Sequence, residues 1–153
     1  MDKQQRSASE EGSPNGPELS GLAAKIVAAA IIEHGGRFLI TRRAPGQTLA
    51  GKWEFPGGKL DPGESLAQCL ERQLLEELGL ETVAGDVVAE STFDYPKGRI
   101  HLVALKARIL AGELALSVHD RAEWLKPDEI LSLELAPADI PIVKLLQEGT
   151  DGL

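Results

Sequence analysis

Leu66, Leu70, Leu74 and Leu78 recur every four residues and draw one apolar stripe along residues 65–78. Ser65 with Gln68 spells a Ser-x-x-Gln capping box at the start of this run, and Gly79 stands where a C-terminal cap belongs. A helix with one apolar stripe must bury it against another element, and the flanking segments supply strands. Residues 25–33 are β-branched and alanine-rich, His34-Gly35-Gly36 marks a turn, and residues 37–41 form a second extended run. Residues 42–52 read as a loop, as does the stretch from Pro56 to Gly63. Beyond the helix, residues 82–93 and 99–110 are extended, with 94–98 as the turn between them, and 113–117 add a short strand. Residues 127–133 form a short helix and 140–147 a terminal amphipathic one, with Asp139 as its N-cap and Pro141 in its first turn. Strands and helices mix without regular alternation, so the expected class is α+β.

At 153 residues the chain is long enough for a single domain with its own core. Residues 1–20 are rich in Ser, Glu, Gly, Pro and Gln and are expected to form a disordered tail, leaving 21–153 as the folded domain. Sixteen Lys and Arg against 24 Asp and Glu give a net charge of −8, which disfavours a polymeric nucleic acid as partner. A phosphorylated ligand would need positive charge brought locally, and a divalent cation does this. The longest aliphatic run, residues 26–32, is too short to span a membrane, and the N-terminal residues contain no apolar signal segment. Cys69 is the only cysteine, so neither an intrachain disulfide nor a cysteine-based zinc cluster is available. These features together point to a cytoplasmic protein.

The helix carries an unusual load of carboxylates. Gln73, Glu76 and Glu77 are three and four residues apart and share a face. Glu76 and Glu77 also sit near the helix C-terminus, where negative charge is unfavourable. A hard dication that takes oxygen ligands relieves that cost, and magnesium, which binds through a few carboxylates plus substrate phosphates, suits the site. A solvated acidic face with an Arg72–Glu76 pair is the simpler reading of the helix alone.

Together with the preceding turn, the segment GKLDPGESLAQCLERQLLEELGL resembles the Nudix box, Gly-x5-Glu-x7-Arg-Glu-U-x-Glu-Glu-x-Gly-U, where U is a bulky aliphatic. Gly58, Glu64, Arg72, Leu74, Glu76, Glu77, Gly79 and Leu80 fall on the pattern at the right spacing, and Gln73 replaces the Glu expected after Arg72. ITRRA, KWEFPGGK and LAPADIP extend the resemblance to the branch of MutT-type and cytidine-triphosphate pyrophosphohydrolases.

The resemblance implies a mixed sheet sandwiched between helices and cleavage of a nucleoside diphosphate linked to a further group X. Where X is phosphate, a nucleoside triphosphate, including one oxidised or methylated on its base, yields a monophosphate and pyrophosphate. It implies metal ligation by Glu76, Glu77 and the carbonyl of Gly57, with Glu64 and Arg72 in support and magnesium, or manganese, as cofactor. Arg43 matches a residue facing the nucleotide, and Lys59 a lysine beside the phosphates. Asp139 matches a position that hydrogen-bonds the base edge, a role open beside helix capping. Phe55, with Trp53, Phe93 and Tyr95, is available for stacking on a base or for the core. Cys69 reads as a packed thiol.

Two departures follow. Gln73 stands where the family uses a glutamate for metal binding and water activation, and an amide ligates only weakly and takes no proton. Slow turnover is therefore expected. Val118 occupies the position of a further family glutamate, six residues before Trp124, and Asp120 or His119 is adjacent to supply a replacement, Asp120 being the better magnesium ligand. The expected function is a magnesium-dependent pyrophosphohydrolase acting as monomer or homodimer. A nucleotide-binding module without turnover, a scaffold, and a hydrolase of another X remain the alternatives.

Overall fold

The computed structural model describes residues 24–151, so the expected tail at 1–20 lies outside the described residues. Among the described residues, eight strands and three helices follow in the order β1 (Lys25–Ile31), β2 (Glu33–His34), β3 (Arg37–Arg43), β4 (Trp53–Glu54), β5 (Gly57–Lys59), α1 (Leu66–Leu78), β6 (Leu80–Tyr95), β7 (Gly98–Gly112), β8 (His119–Leu125), α2 (Pro127–Leu131) and α3 (Ile140–Asp151). A 3-10 turn, Pro137–Asp139, leads into α3. One sheet runs β5-β1-β7-β6, with β1 and β7 parallel and the other pairs antiparallel. In the second sheet β3 pairs antiparallel with β2, β4 and β8.

The alternation along β1 explains the layers. Ala28, Ala30 and Ile32 face one way and join Leu70, Leu74 and Leu78 of α1 in one core. Ala29 and Ile31 face the other way and pack with Phe38, Phe55, Ile130 and Ile142. Both faces of the strand are buried, which is why its sequence reads as an unbroken apolar run. This is the α+β arrangement expected, a mixed sheet with helices on either side. No helix among the described residues is long and apolar enough to cross a membrane.

The start and stop of α1 follow its sequence signals. Ser65 accepts from the Gln68 N–H, the Gln68 side chain accepts from the Ser65 N–H, and Gly79 closes the helix at φ 70°. A left-handed φ there favours glycine over any residue with a Cβ. Leu74 is 1% exposed at the centre of the stripe. Leu74→Ala is expected to cost about 2–5 kcal/mol in chemical denaturation, the usual range for a buried leucine that leaves a cavity.

Two local expectations are corrected. Residues 113–117 form no strand: the Ala115 N–H and the Ser117 hydroxyl instead donate to Leu78 and Glu77 carbonyls. They thereby satisfy acceptors that the end of a helix leaves free. Within the turn-rich stretch 56–63, residues 57–59 form β5 on the edge of β1. A Cβ on Gly57 would lie 1.9 Å from the Ala28 carbonyl oxygen, so the close approach to β1 requires glycine there. Residues 119–125, to which the sequence assigned no element, form β8 paired with β3, a strand with little apolar alternation to announce it.

Candidate active site

The box loop is tied to α1 through one guanidinium. Arg72 Nη2 donates to Glu64 Oε1 at 2.8 Å, Nε to Glu64 Oε2, and Nη1 to Glu76 Oε1 at 3.2 Å, with Asp61 3.2 Å from Nη2. Glu64 also accepts from the Asp61 N–H. The Arg72 guanidinium, with that backbone bond second, holds the Glu64 carboxyl down at about 2. Arg72 thus ties Glu64, on the loop before α1, to Glu76 on the helix itself. Glu76 is oriented by Arg72, its side chain 58% exposed.

A cavity of about 440 Å³ opens beside this helix, within the size range of small-molecule sites. Gly57, Gln73 and Glu77 line one part of it, and Arg43, Lys59, Phe55 and Asp139 also contribute. A larger cavity of about 760 Å³ lies elsewhere, between β2, β6, β7 and Trp124, but its lining is predominantly aliphatic and includes none of the expected site residues. Convergence of polar groups, rather than volume, distinguishes the smaller one.

The electrostatics within the smaller cavity are uneven. Burial pushes the Glu77 carboxyl up, with the charges of Glu54 and Glu76 adding to this and those of His119 and Arg43 opposing it. No hydrogen bond reaches the Glu77 carboxylate among the described residues. Gln73 packs over the box loop: its Nε2 donates to the Lys59 carbonyl at 3.4 Å, and a Cβ on Gly58 would lie 2.2 Å from its amide carbon. Asp139 is 5% exposed, and burial, followed by the charge of Glu54, raises its carboxyl well above the usual range.

Asp139 does not act as the expected helix cap. Its Oδ2 accepts from the Phe55 N–H at 2.9 Å, joining the 3-10 turn to the segment after β4. The helix entrance is formed by that 3-10 turn, so the carboxyl is directed across the structure instead of along the helix. Asp120, unlike Asp139, is not brought to the cavity. It stands exposed on β8 and pairs with Arg42, whose Nε and Nη2 donate at 2.8 and 2.9 Å. The register between β3 and β8 slips there, Arg42 opposing Arg121 and Arg43 opposing His119, so Asp120 is the extra residue of a bulge and turns away.

Among the aromatics, Phe55 and Tyr95 line the cavity, whereas Trp53 is buried in the core with Arg42 over its ring at 5.8 Å. The Tyr95 hydroxyl accepts from the Ala138 N–H, and Phe93 packs on the Tyr95 ring at 4.8 Å. Cys69 is buried under the box loop, its thiol directed at the Gly58 and Lys59 carbonyls.

Leu49 and Glu54 are among the cavity residues that had no place in the sequence expectation. Leu49, in the loop before β4, lines the cavity at φ 58°, a strained conformation for a side-chain-bearing residue. Glu54 also lines it, and its charge acts on both Glu77 and Asp139. The only available signal for Glu54 was a lone acid between two buried aromatics, Trp53 and Phe55.

No three His, Cys, Asp or Glu side chains among the described residues form a ready metal cage. The donor chemistry nonetheless fits a magnesium ion. That ion takes one or two carboxylates and completes its shell with waters and phosphates, and Glu77 is a half-buried carboxylate without a hydrogen-bonding partner.

Comparison with known proteins identifies the family. The NUDIX domain family model matches residues 23–146. The CTP pyrophosphohydrolase of Escherichia coli K12 is 42% identical over 118 residues, covering 77% of this chain and 87% of the relative. A putative 8-oxo-dGTP diphosphatase 2 of Mycobacterium tuberculosis is 36% identical over 118 residues, 75% of this chain and 82% of the relative. The crystal structure of a MutT protein from Methanosarcina mazei superposes with a TM-score of 0.75 at 27% identity, covering 83% of this chain and 95% of that one. With the box on α1, the mixed sheet between helices and a family match across nearly all the described residues, the chain belongs to the Nudix hydrolase family.

Proposed function

We propose that this chain is a magnesium-dependent pyrophosphohydrolase that cleaves a nucleoside triphosphate to the monophosphate and pyrophosphate, slowed by Gln73. The observation that carries this reading is one cavity lined by both the box residues Gly57, Gln73 and Glu77 and the buried carboxyl of Asp139. A polyphosphate at the first group and a base at the second would fill it. Nudix hydrolases generally use a divalent metal, and magnesium, or manganese in its place, would be held by Glu77, Glu76 and the Gly57 carbonyl. When bound, the ion neutralises the polyphosphate and acidifies water. Arg72 and Glu64 hold the acidic segment in place, and Lys59 supplies positive charge to the phosphates in a chain whose net charge of −8 would repel a free triphosphate. Phe55 and Tyr95 offer ring surface to the base.

Asp139 reads the base edge. Burial raises its carboxyl well above the usual range, and with Oδ2 engaged by the Phe55 N–H, Oδ1 is left to face a base presenting an amino group or a ring N–H. The CTP pyrophosphohydrolase relative supports a cytosine nucleotide, and the 8-oxo-dGTP diphosphatase relative an oxidised purine. Asp139→Asn keeps an oxygen for the Phe55 N–H but changes the donor pattern. It is expected to shift the preference between CTP and 8-oxo-dGTP about tenfold, read as a ratio of kcat/KM values, with little change in Tm.

The test of the function is a product screen with CTP, 5-methyl-dCTP, 8-oxo-dGTP and the unmodified triphosphates, each with and without magnesium. Magnesium-dependent release of pyrophosphate together with a monophosphate from at least one of them is the expected result. Release of orthophosphate alone overturns it. Gln73 favours a second reading, a module that binds nucleotide without cleaving it, and calorimetric binding without product would establish that one.

A further inference from the structure

His119 is a buried histidine, its side chain 0% exposed. The bulge at Asp120 turns it inward, level with Arg43 on β3. Glu54, on β4 at the far side of β3, receives both neighbours on a single oxygen. Arg43 Nη1 and His119 Nε2 each lie 2.9 Å from Glu54 Oε2. A carboxylate accepts, so both nitrogens donate. Arg43 is braced further by the Thr48 carbonyl. The other ring nitrogen of His119, Nδ1, is buried with no hydrogen-bond partner. Leaving a ring nitrogen buried and unpaired is unfavourable, so packing alone does not account for a histidine here. Its one satisfied polar contact is to Glu54.

We propose that His119 is a positioning residue for nucleotide binding: with Arg43 it clamps Oε2 of Glu54 and thereby fixes the cavity wall between Glu77 and Asp139. Oε1 of Glu54 accepts no hydrogen bond among the described residues and is the oxygen left for a ligand. Without His119 the carboxylate is held by Arg43 alone, and both side chains gain rotamers that binding must then freeze out. This inference rests on the nucleotide reading of the cavity.

The experiment measures the affinity of the full chain for magnesium CTP and magnesium 8-oxo-dGTP by calorimetry, alongside Tm, so that the slow turnover expected from Gln73 does not enter. His119→Leu is expected to weaken binding of the preferred nucleotide about tenfold while Tm stays level or rises, because the unpaired nitrogen is gone. His119→Gln, which still offers an N–H donor, recovers most of the affinity. In a Glu54→Gln background the His119→Leu exchange adds no further loss, since the clamp has nothing charged to hold. Unchanged affinity in a folded His119→Leu variant overturns the proposal, as does an equal loss in both backgrounds. Should His119→Leu not fold, His119→Gln against the shorter His119→Asn decides it: retention by the first and loss by the second supports the clamp, and retention by both overturns it. An unaltered chain that binds neither nucleotide removes the parent reading, whereas binding that ignores His119 removes only this one.

Discussion

Exchanging Gln73 for glutamate is expected to raise the turnover of the magnesium–nucleotide complex by about 10²–10⁴-fold, the usual contribution of a positioned general base. The amide sits one helical turn from Glu77 on the same side of the cavity, against the box loop. Glutamate has the same length and nearly the same shape, so the exchange alters proton affinity and charge while leaving packing intact. Its cost appears in the metal-free protein. The Nε2 contact to the Lys59 carbonyl is lost, two oxygens then face each other, and a second carboxylate joins Glu77. A slightly lower Tm without magnesium, with tighter magnesium binding, is therefore expected to accompany the faster rate. Steady-state kinetics on the two chains with the best nucleotide of the screen, together with Tm measured with and without magnesium, checks both halves. Equal rates would show that Gln73 does not limit turnover.

The parts of this molecule that were legible in advance are those whose determinants are local. The capping box of Ser65 and Gln68, the leucines four apart and the glycine stop at Gly79 define α1 within its own residues, and the structure reproduces each contact. The box acids could be placed because helical spacing alone sets which side chains are neighbours. What escaped was decided by distant partners. Residues 119–125 are mostly polar and form a strand only because β3 has an open edge to pair with. Asp139 stands where a helix cap belongs, yet its hydrogen bond goes to Phe55, 84 residues earlier. Asp120 had the better ligand chemistry of its pair, but a bulge hands it to Arg42 and sends His119 inward instead. Glu54 belongs to a two-residue strand too short to show a pattern, and its role emerges only when Arg43 and His119 converge on it.

Glu77→Gln separates what this carboxylate does for chemistry from what it does for the fold, because the two effects have opposite sign. Burial raises the Glu77 carboxyl above its ordinary range, so the folded state is favoured while the group is neutral. That advantage is fully present at pH below the unfolded carboxyl value. It is lost as pH rises through the folded value, after which an ionised, half-buried carboxylate without a hydrogen-bonding partner remains. Glutamine removes the charge and keeps the shape. The metal-free variant is thus expected to have a higher Tm than the parent at neutral pH, a difference that closes below about pH 4, where both side chains are neutral. Magnesium reverses the order. The parent gains Tm on titration with the ion, the variant gains little, and turnover falls at least about a hundredfold, as when one preorganised charge-stabilising group is lost from an active site. Thermal melts across pH and magnesium concentration, with kinetics in the Gln73→Glu background for signal, measure all three. A variant that is destabilised at neutral pH and responds to magnesium as the parent does would show that Glu77 is an ordinary surface acid and that the ion is held elsewhere.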